Sequence, residues 1–256
     1  MLDVGILKER ETYPGIQNPT SKIQHPIKEG ALFVADAHYP HHGDEFLRLL
    51  RALDSEELTA PQLFLMGDIF DLLFGCGEYI VSFSREAVEI LQRISQRMEI
   101  HYFEGNHDFC LGRLFPQMTV YPRGKQPVAM RLGESKVMLS HGDRYDVGLG
   151  YELYSFLLRQ CRAMCLLLPW EKRLIDPQIR ALRKKKICRD FKGFGRKVDR
   201  ILSYYPPEAE WVIEGHFHQG KILGRYVSLP SLACQKELGV VRKGRIEFVP
   251  LDAMID

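Results

Sequence analysis

Residues 31–38 read ALFVADAH, and this stretch decides the fold because it joins a buried strand to a pair of metal-binding side chains. The run ALFVA is short and rich in branched and aromatic residues, which predicts a buried strand. Asp36 and His38 follow it directly. Residues 62–71, QLFLMGDIFD, repeat the arrangement with two aspartates. The repetition indicates that more than one strand delivers ligands to the same place.

Three further segments extend this pattern along the chain. Residues 99–108 read EIHYFEGNHD, residues 136–143 read KVMLSHGD, and residues 211–218 read WVIEGHFH. In each of them, a run that predicts a strand leads into a group of polar side chains. Carboxylate, amide and imidazole groups are the ligands that a two-metal, phosphoester-cleaving site requires. Asp-x-His alone occurs often by chance, whereas five such segments in this order predict a two-metal site.

The spacing within the segments predicts which side chains share an ion. Residues two apart on an extended segment project to the same side, so each such pair reaches one site. An aspartate that directly follows a glycine at a strand end, here Asp68, is the natural bridge between two ions. The predicted metal ligands are Asp36, His38, Asp68, Asn106, His141, His216 and His218.

Strands alternate with helices in the predicted order of elements. A β-α-β-α-β unit is followed by a hairpin within 119–140, a helical block over 149–204 and strands from 210 to 250. This order predicts an α/β fold (an α+β sandwich) of two packed mixed β-sheets flanked by helices. We expect a single domain over 1–256, with an N-terminal extension at 1–30 and a helical lid insertion at 149–204.

The positive charge of the chain is concentrated in one stretch. Residues 171–200 hold twelve Lys or Arg against four Asp or Glu, an excess of eight positive charges in a chain whose net charge is +2. Such a stretch suits a phosphate-rich substrate or an anionic membrane surface. The preceding residues 149–168 are apolar on more than one face, so a helix there must be buried on several sides or must meet lipid.

The cysteines and the N-terminus bear on the compartment. The cysteines show neither a C-x-x-C pair nor dense spacing, which predicts free thiols in a reducing compartment. They are Cys76, Cys110, Cys161, Cys165, Cys188 and Cys234. The N-terminal MLDVGILKERETYP is charged where a signal peptide needs an apolar stretch. No uncharged run approaches the ~18 residues of a membrane span. We therefore expect a cytoplasmic protein, peripheral on the inner membrane.

The segments together resemble a known family. The set D-x-H, GD-x-x-D, GNHD, HGD and GH-x-H, within residues 34–218, resembles the calcineurin-like metallophosphoesterase superfamily. The resemblance implies one ion held by Asp36, His38, Asp68 and His218, and another held by Asp68, Asn106, His141 and His216. Two divalent cations are implied, with Mn²⁺ expected and Fe, Zn or Co also compatible with these ligands.

The same resemblance implies two catalytic residues. In that family the histidine of GNHD faces the substrate phosphate and is held by the second acid of GD-x-x-D. His107 is thus expected to protonate the leaving oxygen or to stabilise phosphate charge, with Asp71 orienting it. The implied reaction is in-line attack of a metal-bridging hydroxide on phosphorus, without a covalent intermediate.

The other histidines and acids are expected to have structural, surface or supporting roles. We expect His25 and His101 to be structural or surface residues, and His41 and His42 to be exposed loop residues near the site mouth. Two acids are expected to orient backbone or ligands from behind: Asp108 and Asp143.

The insertion points to a substrate class. An apolar and basic helical insertion between HGD and GH-x-H is similar to the lid of UDP-2,3-diacylglucosamine pyrophosphatases of lipid A biosynthesis. That family releases UMP and lipid X (2,3-diacylglucosamine 1-phosphate), usually with manganese. Its best-known branch has arginine where this chain has His107, and commonly threonine where this chain has Phe217. The chain is therefore expected to be a divergent branch, with a nucleotide-linked lipid as substrate.

Alternatives remain open from the sequence. The insertion could be a helical pair packed on its own core or forming a dimer, and the oligomeric state is not predicted. A soluble metallophosphoesterase could act on phosphomonoesters, cyclic nucleotides or nucleic acid. Nucleic acid is not favoured, because residues 183–200 offer few aromatic platforms beyond Phe191 and Phe194. A non-catalytic scaffold is disfavoured because every ligand position is filled.

Overall fold

The computed structural model describes residues 26–160 and 168–255 of the chain. Residues 1–25, most of the predicted N-terminal extension, lie outside the described residues, as do Cys161 and Cys165 of the insertion. Two six-stranded sheets dominate the described part and pack against each other. The strands are β1 (Pro26–Ile27), β2 (Leu32–Val34), β3 (Gln62–Leu65), β4 (Leu73–Phe74), β5 (Glu99–Phe103), β6 (Asp108–Phe109), β7 (Thr119–Tyr121), β8 (Val128–Leu132), β9 (Ser135–Ser140), β10 (Trp211–Glu214), β11 (Lys221–Leu223), β12 (Tyr226–Ser228), β13 (Glu237–Arg242) and β14 (Arg245–Pro250).

The sheets are both mixed, as the sequence predicts. One has the order β1-β8-β9-β10-β12-β11, and the other has the order β14-β13-β2-β3-β5-β7. Strands β2, β3 and β5 are parallel neighbours in the second sheet, and β9 and β10 are parallel neighbours in the first. Their carboxyl ends therefore lie at one edge of each sheet, where polar loops from both sheets meet. A short parallel pair, β4 with β6, adds to the chain near this edge.

Helices cover the outer faces of the sandwich. They are α1 (Glu45–Asp54), α2 (Glu78–Ser82), α3 (Arg85–Ile94), α4 (Leu149–Leu158), α5 (Glu171–Leu182), α6 (Phe194–Leu202) and α7 (Leu232–Gln235). The inner faces of the sheets share one apolar core that includes Phe33, Phe64 and Leu139. A second core joins α1 and α3 to the outer face of the second sheet, and α6 packs on the outer face of the first.

Between β3 and β5, where the sequence predicts one helix, the structure has two. The predicted helix is α3, and the additional short helix α2 ends at Ser82, before α3 begins at Arg85. The apolar positions Ala87, Ile90, Leu91 and Ile94 lie on the buried face of α3, as their spacing predicts. Asp44 directly precedes α1, and its side chain makes no capping hydrogen bond.

The predicted insertion contains three described helices. Helix α4 begins at Leu149, α5 follows Trp170, and α6 begins after Gly193, which has a φ of 80°. Pro169 lies in a single 3₁₀ turn, Leu168–Trp170, directly before α5, and Pro177 lies within α5. Contacts fix α5 to the main body, because Glu171 accepts hydrogen bonds from the backbone N–H groups of Tyr79 and Ile80. Within the described residues, no helix has both the length and the apolar character needed to cross a membrane.

The prediction of free thiols is wrong for three of the cysteines, since Cys110, Cys188 and Cys234 are all disulfide-bonded. Cys188 and Cys234 form a disulfide whose Cα atoms are 5.4 Å apart. They are 46 residues apart in sequence, and the contact arises because the segment after α5 folds back onto α7. Sequence spacing carries no signal for such a pair, since the tertiary fold alone brings the two residues together.

Candidate metal centre

Every predicted metal ligand lies in a loop at the carboxyl end of a strand. Asp36 and His38 follow β2, and Asp68 follows β3. The remaining four ligands follow β5, β9 and β10 in the same way: Asn106, His141, His216 and His218. Parallel strands place their carboxyl ends side by side, so these loops converge on one point between the two sheets. The side chains that the sequence spacing selected are brought together.

The backbone is strained where these ligands sit. The described residues include ten non-glycine residues with positive φ, and five of the ten are predicted ligands. These five have φ values between 46° and 61°: Asp36, His38, Asp68, His216 and His218. Left-handed backbone is unfavourable for residues with a Cβ, and such strain concentrates at functional sites. The fold thus holds these side chains at a conformational cost.

Two glycines allow the ligand loops to approach closely. A Cβ on Gly67 would collide with the imidazole of His141, and a Cβ on Gly105 would collide with the carboxylate of Asp68. Gly67 also has a φ of 85°, which favours glycine. The GD and GN dipeptides of the motifs therefore have a packing reason, because larger side chains would push the ligands apart.

The first cluster of metal-binding groups consists of Asp36, His38 and His218. Its donor atoms lie within 4.8 Å of one another. The Nε2 atoms of His38 and His218 are 3.4 Å apart, and Nε2 of His218 lies 3.2 Å from Oδ1 of Asp36. Oδ2 of Asp36 is buried without a hydrogen-bond partner among the described residues. An orphaned carboxylate oxygen beside two imidazoles is a donor set that fits a divalent cation.

The second cluster consists of Asp68, His141 and His216, with Asn106 beside it. Nε2 of His141 lies 3.6 Å from Oδ1 of Asp68, 3.3 Å from Oδ1 of Asn106 and 3.3 Å from Nδ1 of His216. Nδ1 of His141 donates to the carbonyl oxygen of Met66, which turns Nε2 toward the cluster. These atoms also fit a divalent cation, and the assignment of each ligand to an ion remains a prediction.

Ionisation of the second cluster follows from its partners. Burial disfavours the charged carboxylate of Asp68, but the charge of His141 outweighs burial and holds the pKa of Asp68 well below its usual range. Burial, together with the nearby charge of His141, lowers the pKa of His216 to about 4. His216 is therefore neutral at pH 7 and has a lone pair available for a metal.

Asp71 and His107 are placed differently from the prediction. The carboxylate of Asp71 contacts His38 and His41, at 3.2 Å from Nδ1 of His38 and 2.9 Å from Nδ1 of His41. His107 instead donates from Nδ1 to the backbone carbonyl oxygen of Asp71, at 2.6 Å. Asp71 thus holds His107 through its main chain, and its carboxylate orients His38. Sequence spacing cannot show whether Asp71 holds His107 through its carboxylate or through its backbone carbonyl, because both groups belong to the same residue.

Among the remaining histidines, two contradict the sequence prediction and one agrees with it. His41 and His42 are not exposed loop residues, since their side chains are only 6% and 14% exposed and both face Asp71. His101 is structural as predicted, because it is buried, stacks on Phe64 and contacts the hydroxyl of Tyr121. His25 lies outside the described residues.

Asp143 links the metal centre to the insertion. Its carboxylate accepts hydrogen bonds from Arg123, Arg159 and the hydroxyl of Tyr151. Tyr151 belongs to α4, and Arg159 is the residue that follows this helix. Arg159 also donates to the carbonyl oxygen of Gly105, next to Asn106. The predicted supporting role of Asp143 therefore has a concrete form, since it joins the loop after β9 to α4.

An open cavity of about 360 Å³ lies over the two clusters. Its floor includes His38, Asp68 and His216, and its wall is formed by residues 185–191 of the insertion. The basic stretch singled out in the sequence thus borders the metal centre. A site with two cation-binding clusters below and basic side chains above is suited to a phosphoester or pyrophosphate.

Comparison with known proteins agrees with this chemistry. The chain is 28% identical to the UDP-2,3-diacylglucosamine hydrolase of Chromohalobacter salexigens over 190 residues, which are 72% of this chain and 74% of the relative. It is 25% identical to the UDP-2,3-diacylglucosamine hydrolase of Coxiella burnetii over 206 residues, 75% of this chain and 81% of the relative. No family model matches the chain.

Among solved structures, Yfce, a phosphoesterase from E. coli, matches with 13% sequence identity and a TM-score of 0.44, over 88% of this chain and 94% of that chain. A likeness of that size carries no argument about function, which rests on the site and on the sequence relatives. The resemblance predicted from the motifs is confirmed by these relatives: the chain is a distant homologue of proteins named UDP-2,3-diacylglucosamine hydrolase.

Proposed function

We propose that this protein hydrolyses the pyrophosphate bond of UDP-2,3-diacylglucosamine, giving UMP and 2,3-diacylglucosamine 1-phosphate, with two Mn²⁺ ions at the metal centre. The observation that carries the reaction type is the convergence of two groups of metal-binding side chains at the strand ends. The named relatives support the substrate, since they share about three quarters of the chain.

The chemistry divides between the metal ions and the chain. Bound divalent cations would neutralise charge on the phosphoryl oxygens and lower the pKa of the attacking water. The residues of the two clusters hold those cations, and Asp71 keeps Nδ1 of His38 engaged so that Nε2 faces the site.

His107 acts on the substrate side of the centre. Its Nδ1 donates to the carbonyl oxygen of Asp71, so its Nε2 faces the cavity beside Nζ of Lys185. The leaving group of a pyrophosphate is itself a phosphate, a weak base that needs a hydrogen bond more than a full proton. Because Nδ1 carries the hydrogen that bonds to the carbonyl oxygen, Nε2 can donate to a phosphate oxygen only when His107 is protonated. In this proposal the bound phosphate favours that imidazolium, which stabilises phosphate charge as the bond to phosphorus breaks.

Helix α4 supports a lipid-linked substrate because its inner side is polar and its solvent-facing outer side is apolar. Its inner side carries Tyr151 and Ser155, with the polar contacts to Asp143 and Arg159 described above. Its outer side exposes four large apolar side chains by 58% to 79%: Leu149, Leu153, Phe156 and Leu157. An exposed apolar face of this size marks an interaction surface, and beside the basic residues 171–200 it suits an anionic membrane.

A second cavity, of about 560 Å³, lies beside α4 and is lined by side chains from both sides of that helix. Phe156, Cys110 and Val120 are among its lining residues, and its volume is typical of ligand pockets. In this proposal the cavity receives part of the lipid-linked substrate while α4 rests on the cytoplasmic face of the inner membrane. Residues 149–204 then act as a lid over the substrate.

The decisive experiment is hydrolysis of UDP-2,3-diacylglucosamine in mixed detergent micelles with Mn²⁺. We expect UMP and 2,3-diacylglucosamine 1-phosphate in equal amounts, and no turnover after chelation of the metal. Hydrolysis of bis-p-nitrophenyl phosphate without turnover of the lipid would reject the substrate while retaining the reaction type. Failure of both would reject the function.

A further inference from the structure

The segment between α5 and α6 forms an exposed, strongly basic arm. We call residues 183–190 the basic arm. It carries Arg183, Lys184, Lys185, Lys186 and Arg189 against a single acid, Asp190. Most of these side chains are exposed. Five like charges repel one another, so an arm of this composition needs a strong restraint to hold one conformation.

The basic arm crosses the metal centre, although most of its side chains are also exposed to solvent. Its residues from Lys185 onward line the cavity over the two ligand clusters. Nζ of Lys185 lies 3.3 Å from Nε2 of His107, on the side from which a phosphate would enter. Among the described residues, no carboxylate forms an ion pair with Lys185. An ammonium group at a metal centre without an acidic partner is a ready site for a phosphate oxygen.

A covalent restraint holds the arm in place. Cys188, three residues after Lys185, is bonded to Cys234 of α7. Cys234 adjoins the metal centre, since its Sγ lies 3.8 Å from Nδ1 of His218. Beyond the disulfide, the side chain of Gln219 bonds to the carbonyl oxygen of Arg189 and to the N–H of Phe191. On its N-terminal side Lys185 is held by a hydrogen bond from its backbone N–H to the carbonyl oxygen of Leu182 in α5, and on its C-terminal side the disulfide is the nearest restraint.

We propose that the Cys188–Cys234 disulfide is a positioning device, which fixes Lys185 at the metal centre to bind the phosphate group beside the scissile bond. The inference rests on the proposed phosphohydrolase function and adds a residue and a redox dependence to it. Cys188 acts only through Lys185. Opening the disulfide lets the arm move away and weakens substrate binding, while the metal ligands stay in place.

Opening the disulfide requires a dithiol reductant. The dithiol gives two electrons and two protons to the Cys188–Cys234 bond and becomes a cyclic disulfide, and the protein gains two thiols. No metal ion changes its oxidation state in this step. The proposal therefore predicts two interconvertible forms of the protein with the same metal content and different affinity for substrate.

The first test compares Lys185→Met with Lys184→Met, which removes the same charge from a neighbour that does not line the cavity. Loss of one charge-assisted hydrogen bond to phosphate should raise KM about tenfold, with kcat changed less than about threefold. Lys184→Met should stay within about twofold of the wild type. Equal KM values for the two variants would overturn the role of Lys185.

The second test asks whether the disulfide acts through Lys185. Cys188→Ser should raise KM about as much as Lys185→Met, and the double variant should be no worse than either single variant, because both remove one interaction. Reduction of the wild type with dithiothreitol, removed before assay, should reproduce the KM of Cys188→Ser. Because Cys110 is disulfide-bonded as well, the same treatment of Cys188→Ser measures the effect of opening that second bond, and we expect the KM of this variant to stay unchanged. Additive KM effects, or a reduced wild type identical to the oxidised one, would overturn the proposal.

Two measurements distinguish failure of the disulfide proposal from failure of the proposed phosphohydrolase function. Bound manganese, measured by mass spectrometry, should be equal in all variants, and a loss on reduction would show that the disulfide serves the metal ligands instead. KM is measured for both UDP-2,3-diacylglucosamine and bis-p-nitrophenyl phosphate. If only the second compound is turned over, the proposed substrate fails, and the effect of the arm is decided on that compound alone.

Discussion

The carboxylate of Asp108 accepts a hydrogen bond from the backbone N–H of Asp68 at 3.0 Å. The same carboxylate accepts four more hydrogen bonds: from the N–H groups of Ile69, Phe70 and Gly105, and from the hydroxyl of Tyr102. Asp108 thus ties the loop that carries the predicted bridging ligand to the loop that carries Asn106. An acid outside both ligand clusters thus fixes the distance between two loops that carry predicted metal ligands.

Asp108→Asn should weaken metal binding while leaving every predicted ligand in place. An amide cannot accept five hydrogen bonds, because its NH₂ group faces donors, so the loops after β3 and β5 should separate. We expect manganese affinity to fall about tenfold to a hundredfold, as measured by titration calorimetry. Asp199→Asn, on the exposed side of α6, is the matched control. Unchanged affinity in Asp108→Asn would contradict this role.

Asp68→Ala should abolish metal-dependent turnover. The predicted bridge is the only carboxylate within the second cluster, and its removal takes that negative charge away from His141 and His216. We expect activity on bis-p-nitrophenyl phosphate to fall at least about a thousandfold, because two-metal catalysis is lost. Asp199→Ala should remain fully active. Retained turnover in Asp68→Ala would refute the bridging assignment.

His107→Ala should slow the reaction without removing metal. Its Nε2 faces the cavity, and it is not a member of either ligand cluster. Loss of one group that stabilises charge in the transition state should lower kcat about a hundredfold. Metal content, determined on the same preparation, should equal that of the wild type. A variant that loses its metal would show that His107 is a ligand.

Replacing the exposed leucines of α4 should weaken attachment to membranes. Leu149 and Leu153 are 79% and 62% exposed on one side of that helix. The double variant Leu149→Ser/Leu153→Ser should bind phosphatidylglycerol vesicles at least about tenfold more weakly in a sedimentation assay. Ile222→Ser, which removes a half-exposed apolar side chain elsewhere, should bind as the wild type does. Hydrolysis of bis-p-nitrophenyl phosphate should be the same in all three proteins, and equal vesicle binding would contradict the proposed surface.

Glu99 should make a pH-dependent contribution to stability. Burial disfavours its charge, but hydrogen bonds from Lys28 and Gln62 outweigh burial and lower its pKa to about 2. A carboxyl whose folded-state pKa is depressed stabilises the protein fully above its unfolded pKa, near 4.5, and loses that contribution as pH falls toward the folded value.

Glu99→Gln should therefore lower the free energy of unfolding by about 1 kcal/mol at pH 7, a modest value because the side chain is partly exposed to solvent. Less than about half of this difference should remain at pH 3. Urea unfolding at both pH values measures it, with the exposed Glu134→Gln as control. A difference that grows as the pH falls would contradict the assignment.

Much of the fold and the ligand set was predictable because the relevant signals are local. Short apolar runs that end in a glycine and a polar group predict strands with ligands at their ends, and all seven predicted ligands lie at such ends. The hairpin β8–β9 and the strands β10 to β14 also follow from local patterns, apart from the short β11, whose residues gave no clear signal. Two-residue strands such as β4 and β6 are too short to leave a pattern at all.

Contacts between distant segments were not predictable. The disulfide, the burial of His41 and the main-chain contact between Asp71 and His107 depend on how loops meet after the sheets have packed. Local sequence preferences do not determine such contacts, because each contact depends on the geometry of two elements far apart in the chain.

The sequence by itself determined which side chains converge at the strand ends and what chemistry they suit, since strand periodicity and ligand type are properties of a few adjacent residues. The tertiary structure alone decided that the basic arm crosses the metal centre and that Cys188 bonds to Cys234. The physical reason is that a basic, exposed segment has no preferred position of its own. Its place is set by the covalent bond and the loop contacts that the finished fold makes possible.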